Sequence, residues 1–159
     1  MRIRVANDLR NTAGEHGDGK ESLADMPDIH IASPLAIELE TLAIEDSHLQ
    51  SINFGFLVTG EQFNHAFTHR GSFWVEVTAF DRFVADLRSA SAAEAVFSDM
   101  DKEFVIHLKK AERTFLWTMR RQSIGDGGRP GPLLQASFSA YYDHFAGILD
   151  AFQNYPKWW

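Results

Sequence analysis

The sequence predicts an α+β fold: a curved, largely antiparallel sheet of about seven strands with two amphipathic helices packed on it, each helix following a strand. Three observations indicate this fold. Short alternations of apolar and polar residues recur along the chain, as expected of half-buried strands. Two of them run directly into apolar residues at helical spacing. These two segments also resemble each other, because residues 80–87 and 142–149 align at an offset of 62 positions.

The offset alignment contains three identities, which pair Asp81 with Asp143, Phe83 with Phe145 and Leu87 with Leu149. Two amphipathic helix starts converge easily on such a pattern, and an ancestral duplication would also produce it. The repeat predicts equivalent packing roles for the two helices.

Length and composition indicate one globular domain. The chain has 159 residues, of which 45% are hydrophobic and 13% aromatic, enough to build a core without disulfides. The formal net charge of −7 argues against non-specific nucleic-acid binding and suits a basic partner. Cysteine is absent, so disulfides and thiolate metal sites are excluded. No apolar run reaches the roughly 20 residues of a membrane span and no signal segment is found, so a cytoplasmic protein is expected.

The first 28 residues differ in composition from the rest. Residues 11–28 are rich in Gly, Asp, Glu, Ser and Asn, and their only large apolar side chains are Leu23 and Met26. Such a segment buries too little surface to offset its ordering entropy. We therefore predict a mobile arm over residues 1–28, in which Ile3–Val5 is able to add an edge strand, and a single domain over residues 29–159.

The strand signals begin directly after the arm. Residues 29–31 form a short alternating strand that stops before Pro34. Residues 35–44 also alternate, but the apolar phase slips near Glu40, which indicates either a β-bulge or a turn between two strands. Residues 52–59 are a third strand with Gly55 inside it.

The next segments of the first half are a connection, a strand and a helix. Residues 60–71 are polar and aromatic and are predicted to be a connection. Residues 73–77 then alternate as a strand and lead into a helix with an apolar stripe ending at Leu87. Thr78 and Asp81 have the spacing of a capping box at its start.

The second half repeats this succession. Its predicted elements are strands at 95–97, 104–108, 115–119 and 134–138, a tight turn near 110–112, a Gly- and Pro-rich loop at 123–132, and a helix from 141 to 152 that Pro156 ends. Hairpin-like connections favour antiparallel pairing of these strands.

The order of elements from the strand-helix unit at 73–87 to the final strand and helix resembles a group of bacterial proteins that includes the WapI-type immunity-like proteins. The resemblance covers about residues 35–154 and rests on hydrophobic pattern and element order. This chain has Ser89–Ala93 (Ser-Ala-Ser-Ala-Ala) where relatives carry a Gly-Trp or Trp-rich stretch, and Arg113-Thr114-Phe115 where they carry a Gly-His-Val-like segment. The resemblance implies a small cytoplasmic protein that binds or neutralises another protein, and it supplies no catalytic residues.

Two histidines have a spacing that suggests a metal site. His65 and His69 are four residues apart, and on a helix they would share a face, with Asp46, Glu45 or His48 as further ligands. The segment has the composition of a connection, however, and it lacks the Glu of a metalloprotease pair. Solvated or capping histidines are the favoured interpretation, and no cofactor is predicted.

Two regions are candidates for partner binding. Asp126 and Arg129 lie in the Gly-rich loop, which lacks the Gly-Lys-Ser/Thr ending of a phosphate-binding loop. Loops of this kind on a rigid scaffold often carry recognition. Trp158 and Trp159 at the end of the chain either fold back onto the domain or anchor a partner.

A third group of residues is ambiguous. His107 and Trp117 lie on adjacent predicted strands beside Arg120 and Arg121, where they either line a pocket or belong to the solvated face of the sheet.

The function predicted from the sequence is that of a non-enzymatic protein-binding module, of the immunity type by resemblance, which contacts its partner through its acidic surface and the 123–132 loop. One alternative is a small-ligand or metal site around His65 and His69. Another is a structural subunit that self-associates through an edge strand or through residues 158–159, with a dimer among the options. No nucleic acid or membrane is expected as a partner.

Overall fold

A computed structural model describes residues 3–5, 27–46, 48–124, 126–157 and 159. Most of the predicted arm, residues 6–26, lies outside the described residues. The described elements are β1 (Ile3–Val5), β2 (Ile29–Ile31), β3 (Ala36–Glu45), β4 (Ser51–Gln62), β5 (His65–Glu76), α1 (Val77–Arg88), β6 (Glu94–Ser98), β7 (Phe104–Lys109), β8 (Thr114–Ile124), β9 (Pro130–Tyr141) and α2 (Phe145–Gln153), with a 3₁₀ turn at Asp126–Gly128 between β8 and β9. Neither described helix has the length and apolar character needed to cross a membrane.

The strands form two antiparallel sheets. In the first, β3 pairs with β4 and β4 with β5, while β1 and β2 pair with the two ends of the free side of β3. In the second, the order is β6-β7-β8-β9. The α+β class, the antiparallel pairing and the two helices that each follow a strand are confirmed.

The predicted single sheet of about seven strands is wrong. The chain leaves β5 directly into α1 and then begins a separate meander at β6, and among the described strands no ladder joins the two sheets.

The two halves of the domain have the same order of elements. Strands β2 to β5 precede α1, and strands β6 to β9 precede α2. The helices differ in depth, since α1 buries five side chains and α2 buries two. They also begin at different points of the repeated pattern, in which Phe80 corresponds to Tyr142. Helix α1 starts three residues before Phe80, whereas α2 starts three residues after Tyr142, at Phe145.

One aromatic core joins both sheets and both helices. Phe73 of β5 stacks on Phe104 of β7 with a centroid distance of 4.4 Å. Further along β5, Phe67 lies parallel to Trp117 of β8 at 6.3 Å. Phe152 of α2 meets α1 at Phe83. Burial of large apolar rings therefore supplies the contact between elements that no backbone ladder connects.

Strands β4 and β5 form a long hairpin where the sequence predicted a connection over residues 60–71, and that prediction is wrong. Phe63 and Asn64 both have positive φ, as in the two-residue turns that join hairpin strands. Gly60 is required within the hairpin, because a Cβ there would lie 2.5 Å from the Phe67 ring that packs across it. Polar residues beyond the core concealed the alternation in the sequence.

The phase slip in β3 is a bulge, which confirms one of the two predicted explanations. The pairing of β3 with β4 shifts between Thr41 and Ala43. Thr41 is buried, and its hydroxyl shares a hydrogen bond of 2.7 Å with the hydroxyl of Tyr155. Its backbone N–H donates to Asp28 Oδ2 at 2.6 Å. The bulge therefore ties the residues after α2 to the first sheet.

The start of α1 departs from the predicted capping. The N-cap residue is Glu76, without a side-chain cap, and the Thr78 hydroxyl donates to the Glu76 carboxylate at 3.2 Å. The predicted capping box is wrong because the helix begins at Val77, before Thr78. At the other end, Lys110 Nζ donates to the carbonyl oxygens of Leu87 and Ser89 at 3.2 and 2.6 Å, and so neutralises the negative end of the helix.

Replacing Tyr155 by Phe will lower the free energy of unfolding by about 1–3 kcal/mol, because the buried Thr41 hydroxyl loses its partner. Denaturant unfolding followed by tryptophan fluorescence measures the change. The control is Tyr141→Phe, which removes a hydroxyl from a side chain that is 81% exposed. Equal stability of the two variants would contradict the role of the Thr41–Tyr155 bond.

Candidate partner-binding surface

The part of the β8–β9 hairpin nearest its turn, residues 120–134, extends beyond the core. We call this segment the hairpin end. Met119 is the last buried residue of β8. After it, every residue of the hairpin end with a described side chain is exposed, except for the half-buried Gly131. Because both faces of the two strands are open, the hairpin end presents a surface rather than a part of the core.

The hairpin end is basic in an acidic protein. Arg120, Arg121 and Arg129 stand against a single acidic residue, Asp126, so the segment has a formal charge of +2, while the whole chain carries −7. Arg121 Nε lies 3.5 Å from Glu103 Oε2 at the base of the hairpin end. Arg120 and Arg129 are exposed.

Apolar side chains are exposed among these arginines. Ile124 is 84% exposed, and Leu133 and Leu134 are each about half exposed. A groove of about 320 Å³ crosses the hairpin, lined by Arg121, Gln122, Ser123, Pro132, Leu133 and Leu134. Apolar atoms beside arginines are the composition found at the centres of protein–protein interfaces.

The turn between β6 and β7 supports the base of the hairpin end. The backbone N–H of Arg120 donates to the carbonyl oxygen of Glu103 at 2.8 Å. Within the turn, Asp99 Oδ1 accepts the backbone N–H of Phe104 at 2.9 Å. Asp99 is buried, and burial raises the pKa of its carboxyl above the usual 3.8. The backbone N–H of Met100 donates to the carbonyl oxygen of Trp74 at 2.8 Å, which connects the same turn to β5.

The predicted partner-binding residues fall in two places. Arg129 lies exposed in the turn of the hairpin end, and Asp126 lies in the same turn, with its side chain outside the described residues. The predicted loop over 123–132 is shorter than expected, since β8 continues to Ile124 and β9 begins at Pro130.

The second place is the predicted pair Trp158 and Trp159, of which Trp159 packs on α1. Trp158 lies outside the described residues. Trp159 meets Phe80 edge to face at 5.7 Å, and its Nε1 donates to Asp81 Oδ2 at 3.1 Å. The Asp81 carboxylate therefore holds the end of the chain instead of capping α1.

His65 and His69 lie on β5, not on a helix. Their Cα atoms are about 13 Å apart, because each of the four residues along a strand adds about 3.3 Å. The two ring nitrogens that bind one zinc ion lie within about 4 Å of each other. His69 is half-buried beside Trp117, at a centroid distance of 5.6 Å. Across the described part of the chain, no group of three or more His, Asp or Glu side chains has metal-binding geometry.

His107 and Trp117 do not line a common pocket. His107 pairs with Leu116, so Trp117 points to the other face of the sheet. Trp117 is buried in the core, while His107 Nε2 lies 2.8 Å from Glu94 Oε2.

No family model, curated protein or solved structure matches this chain.

The sequence prediction placed the loop of this hairpin near residues 123–132, but it did not show how far the two strands extend towards the turn. The polar run from Arg120 to Ser123, directly after the alternation that ends at Met119, is the signal that β8 continues out of the core. Ile124 gave no such signal, because an isolated apolar residue in a polar loop has no periodicity.

Incubation of the purified protein with a chelator will leave its melting temperature unchanged, because the two histidines are too far apart on β5 to hold one ion. Differential scanning calorimetry with and without chelator measures this. A lower melting temperature that added zinc restores would revive the metal site.

Replacing Asp99 by Asn will raise the free energy of unfolding at neutral pH. The pKa of Asp99 is higher in the folded state, so its carboxyl binds more protons there between 3.8 and that raised pKa, and the contribution of Asp99 to the free energy of unfolding falls as the pH rises through this interval. Asn removes this dependence and keeps an oxygen for the Phe104 N–H. Denaturant unfolding as a function of pH measures it, with the exposed Glu61→Gln as control. A variant less stable than the original protein at neutral pH would contradict this account.

Proposed function

We propose that this protein is a non-enzymatic protein-binding module whose contact surface is the hairpin end. The observation that supports it is a two-stranded segment that leaves the core, is open on both faces, and presents exposed Ile124 among three arginines. Apolar surface exposed beside arginines is typical of sites where another protein binds. An immunity-type role, as the sequence resemblance implies, is one form of this function.

The charge of the hairpin end defines the chemistry of the partner. Arginine binds carboxylates through two parallel hydrogen bonds and also packs on apolar surface, so the complementary surface is acidic with an apolar centre. Attraction between such surfaces accelerates association and weakens as salt is added.

The acidic surface of the protein outside the hairpin end supports a second candidate contact, with a basic partner. Glu38 and Glu40 lie on the outward face of β3, and a basic partner would bind there. The hairpin end is favoured because it combines charge with exposed apolar side chains and a groove. Charge reversal at each surface distinguishes the two.

Reversal of Arg120 and Arg129 to Glu will weaken capture of the partner at least about tenfold, which corresponds to about 1.4 kcal/mol. The measurement is affinity capture from a bacterial lysate, followed by titration of the retained protein at several salt concentrations. The matched control is Arg82→Glu with Arg88→Glu, which changes the charge equally on the exposed face of α1. A third variant, Glu38→Lys with Glu40→Lys, tests the acidic face.

Loss of binding in the hairpin variant alone supports the proposal. Equal binding by the hairpin variant and the α1 control would overturn it, and loss in the β3 variant alone would transfer the function to the acidic face.

A further inference from the structure

Strand β9 lies at one edge of the second sheet, and none of the described strands pairs with its outer side. This edge lacks the usual protection. Protein edge strands are commonly short or carry charged residues that prevent pairing with another chain. The other outer strands follow this rule: β1 and β2 have three residues each, β5 contains Arg70 and Glu76, and β6 has five residues including Glu94. Strand β9 has twelve residues and no charged side chain. Its two prolines lie at one end, before Leu133.

The hydrogen bonding of β9 shows which of its backbone groups face outward. The N–H of Tyr142 donates to the carbonyl oxygen of Arg113 at 3.0 Å, and the pairing with β8 continues from Tyr141 to Leu133 without a shift. In an antiparallel pair, alternate residues bond to the neighbouring strand. The even-numbered residues therefore bond to β8, and the outward N–H and C=O groups belong to Leu133, Gln135, Ser137, Ser139 and Tyr141.

These five residues also share one face of the sheet and are complementary to themselves. If two copies pair antiparallel with Ser137 opposite Ser137, then Leu133 lies opposite Tyr141 and Gln135 opposite Ser139. On the other face, Leu134 lies opposite Ala140. The register thus covers the exposed apolar side chains of β9, of which Tyr141 is 81%, Leu133 47% and Leu134 48% exposed.

We propose that this protein forms a symmetric dimer through β9, with the two-fold axis at Ser137, so that the two four-stranded sheets become one continuous sheet. The register gives about ten backbone hydrogen bonds, two for each facing pair. It places an apolar Leu133–Tyr141 pair on each side of the axis, and such cross-strand pairs stabilise sheets. A second copy is the occupant because the strand is neutral and matches itself, with no charge that requires a counter-charge on a different partner.

The net charge of each copy sets the conditions for pairing. Two chains of charge −7 repel each other at long range, and salt screens this repulsion over about 8 Å at physiological ionic strength. The pairing itself uses uncharged backbone groups. The dimer therefore strengthens as salt is added, whereas binding of an acidic partner to the hairpin end weakens.

The test places charges at the two-fold axis. Ser137→Lys and Ser137→Glu each set like charges opposite each other, so each variant alone will be monomeric, while a mixture of the two will form a heterodimer. Light scattering and native mass spectrometry will give 36 kDa for the original chain, which is twice 18.0 kDa, and 18.0 kDa for each single variant. The control is Ser72→Lys on the outer strand β5, which will remain dimeric.

A monomeric original chain at high micromolar concentration would overturn the proposal, as would a dimer that Ser137→Lys leaves intact. Single variants that dissociate but do not combine when mixed would also overturn it, because they would show loss of structure rather than repulsion at the axis. These outcomes are independent of the hairpin end, whose arginines are unchanged in every variant.

Amide hydrogen exchange supplies a second readout at single residues. The N–H groups of Ala136, Phe138 and Ala140 bond to β8 and will be protected at all protein concentrations. The N–H groups of Gln135, Ser137 and Ser139 will gain protection only as the concentration rises. Protection of both sets that is independent of concentration would contradict pairing between copies.

Discussion

The contact of Phe73 with both sheets is the constraint on which the rest of the structure depends. Its ring meets Phe54 and Phe56 of β4 on one side, and Phe97 and Phe104 of the second sheet on the other. Because no ladder joins the two sheets among the described strands, burial of these rings holds them together. A smaller residue at position 73 would leave a cavity between the sheets as well as lost contacts within one of them.

The strands of the β8–β9 hairpin become exposed where the aromatic core ends. Phe67 and Trp117 form its last stacked pair on β5 and β8, and only Met119 is buried beyond Trp117 on β8. Past that point the strands still pair with each other, but they have nothing to pack against. The hydrogen bond that the Arg120 N–H donates to the Glu103 carbonyl oxygen in the β6–β7 turn fixes the direction of the hairpin end. A surface built in this way is held by backbone pairing and carries side chains that stability does not require.

The sequence predicted those strands in which burial of one face produces an alternation of apolar and polar residues. Ile29–Ile31 and Phe104–Lys109 alternate because one face of each strand is buried, and the phase slip at Thr41 revealed the bulge. The division into two sheets left no local signal, since a strand alternates in the same way whichever sheet it joins. The strand at 65–71 was missed because it leaves the core and loses its apolar face. Of the candidate surfaces, Arg129 was named from loop composition, whereas the self-matching edge of β9 emerges only from its pairing with β8.

The neutral edge of β9 and the basic hairpin end are compatible on one assembly. Two antiparallel copies of β9 direct their hairpin ends away from each other, so pairing at Ser137 leaves Arg120, Ile124 and Arg129 of both copies open, while Leu133 and Leu134 of the groove lie at the contact between the copies. A dimer of this kind presents two identical surfaces on a rigid, continuous sheet. Two linked sites bind a partner that has two matching surfaces more tightly than either site alone, because the second contact forms within the complex. Pairing of β9 would then raise the affinity of the two hairpin ends for such a partner through Arg120, Ile124 and Arg129, because Leu133 and Leu134 are already engaged between the copies.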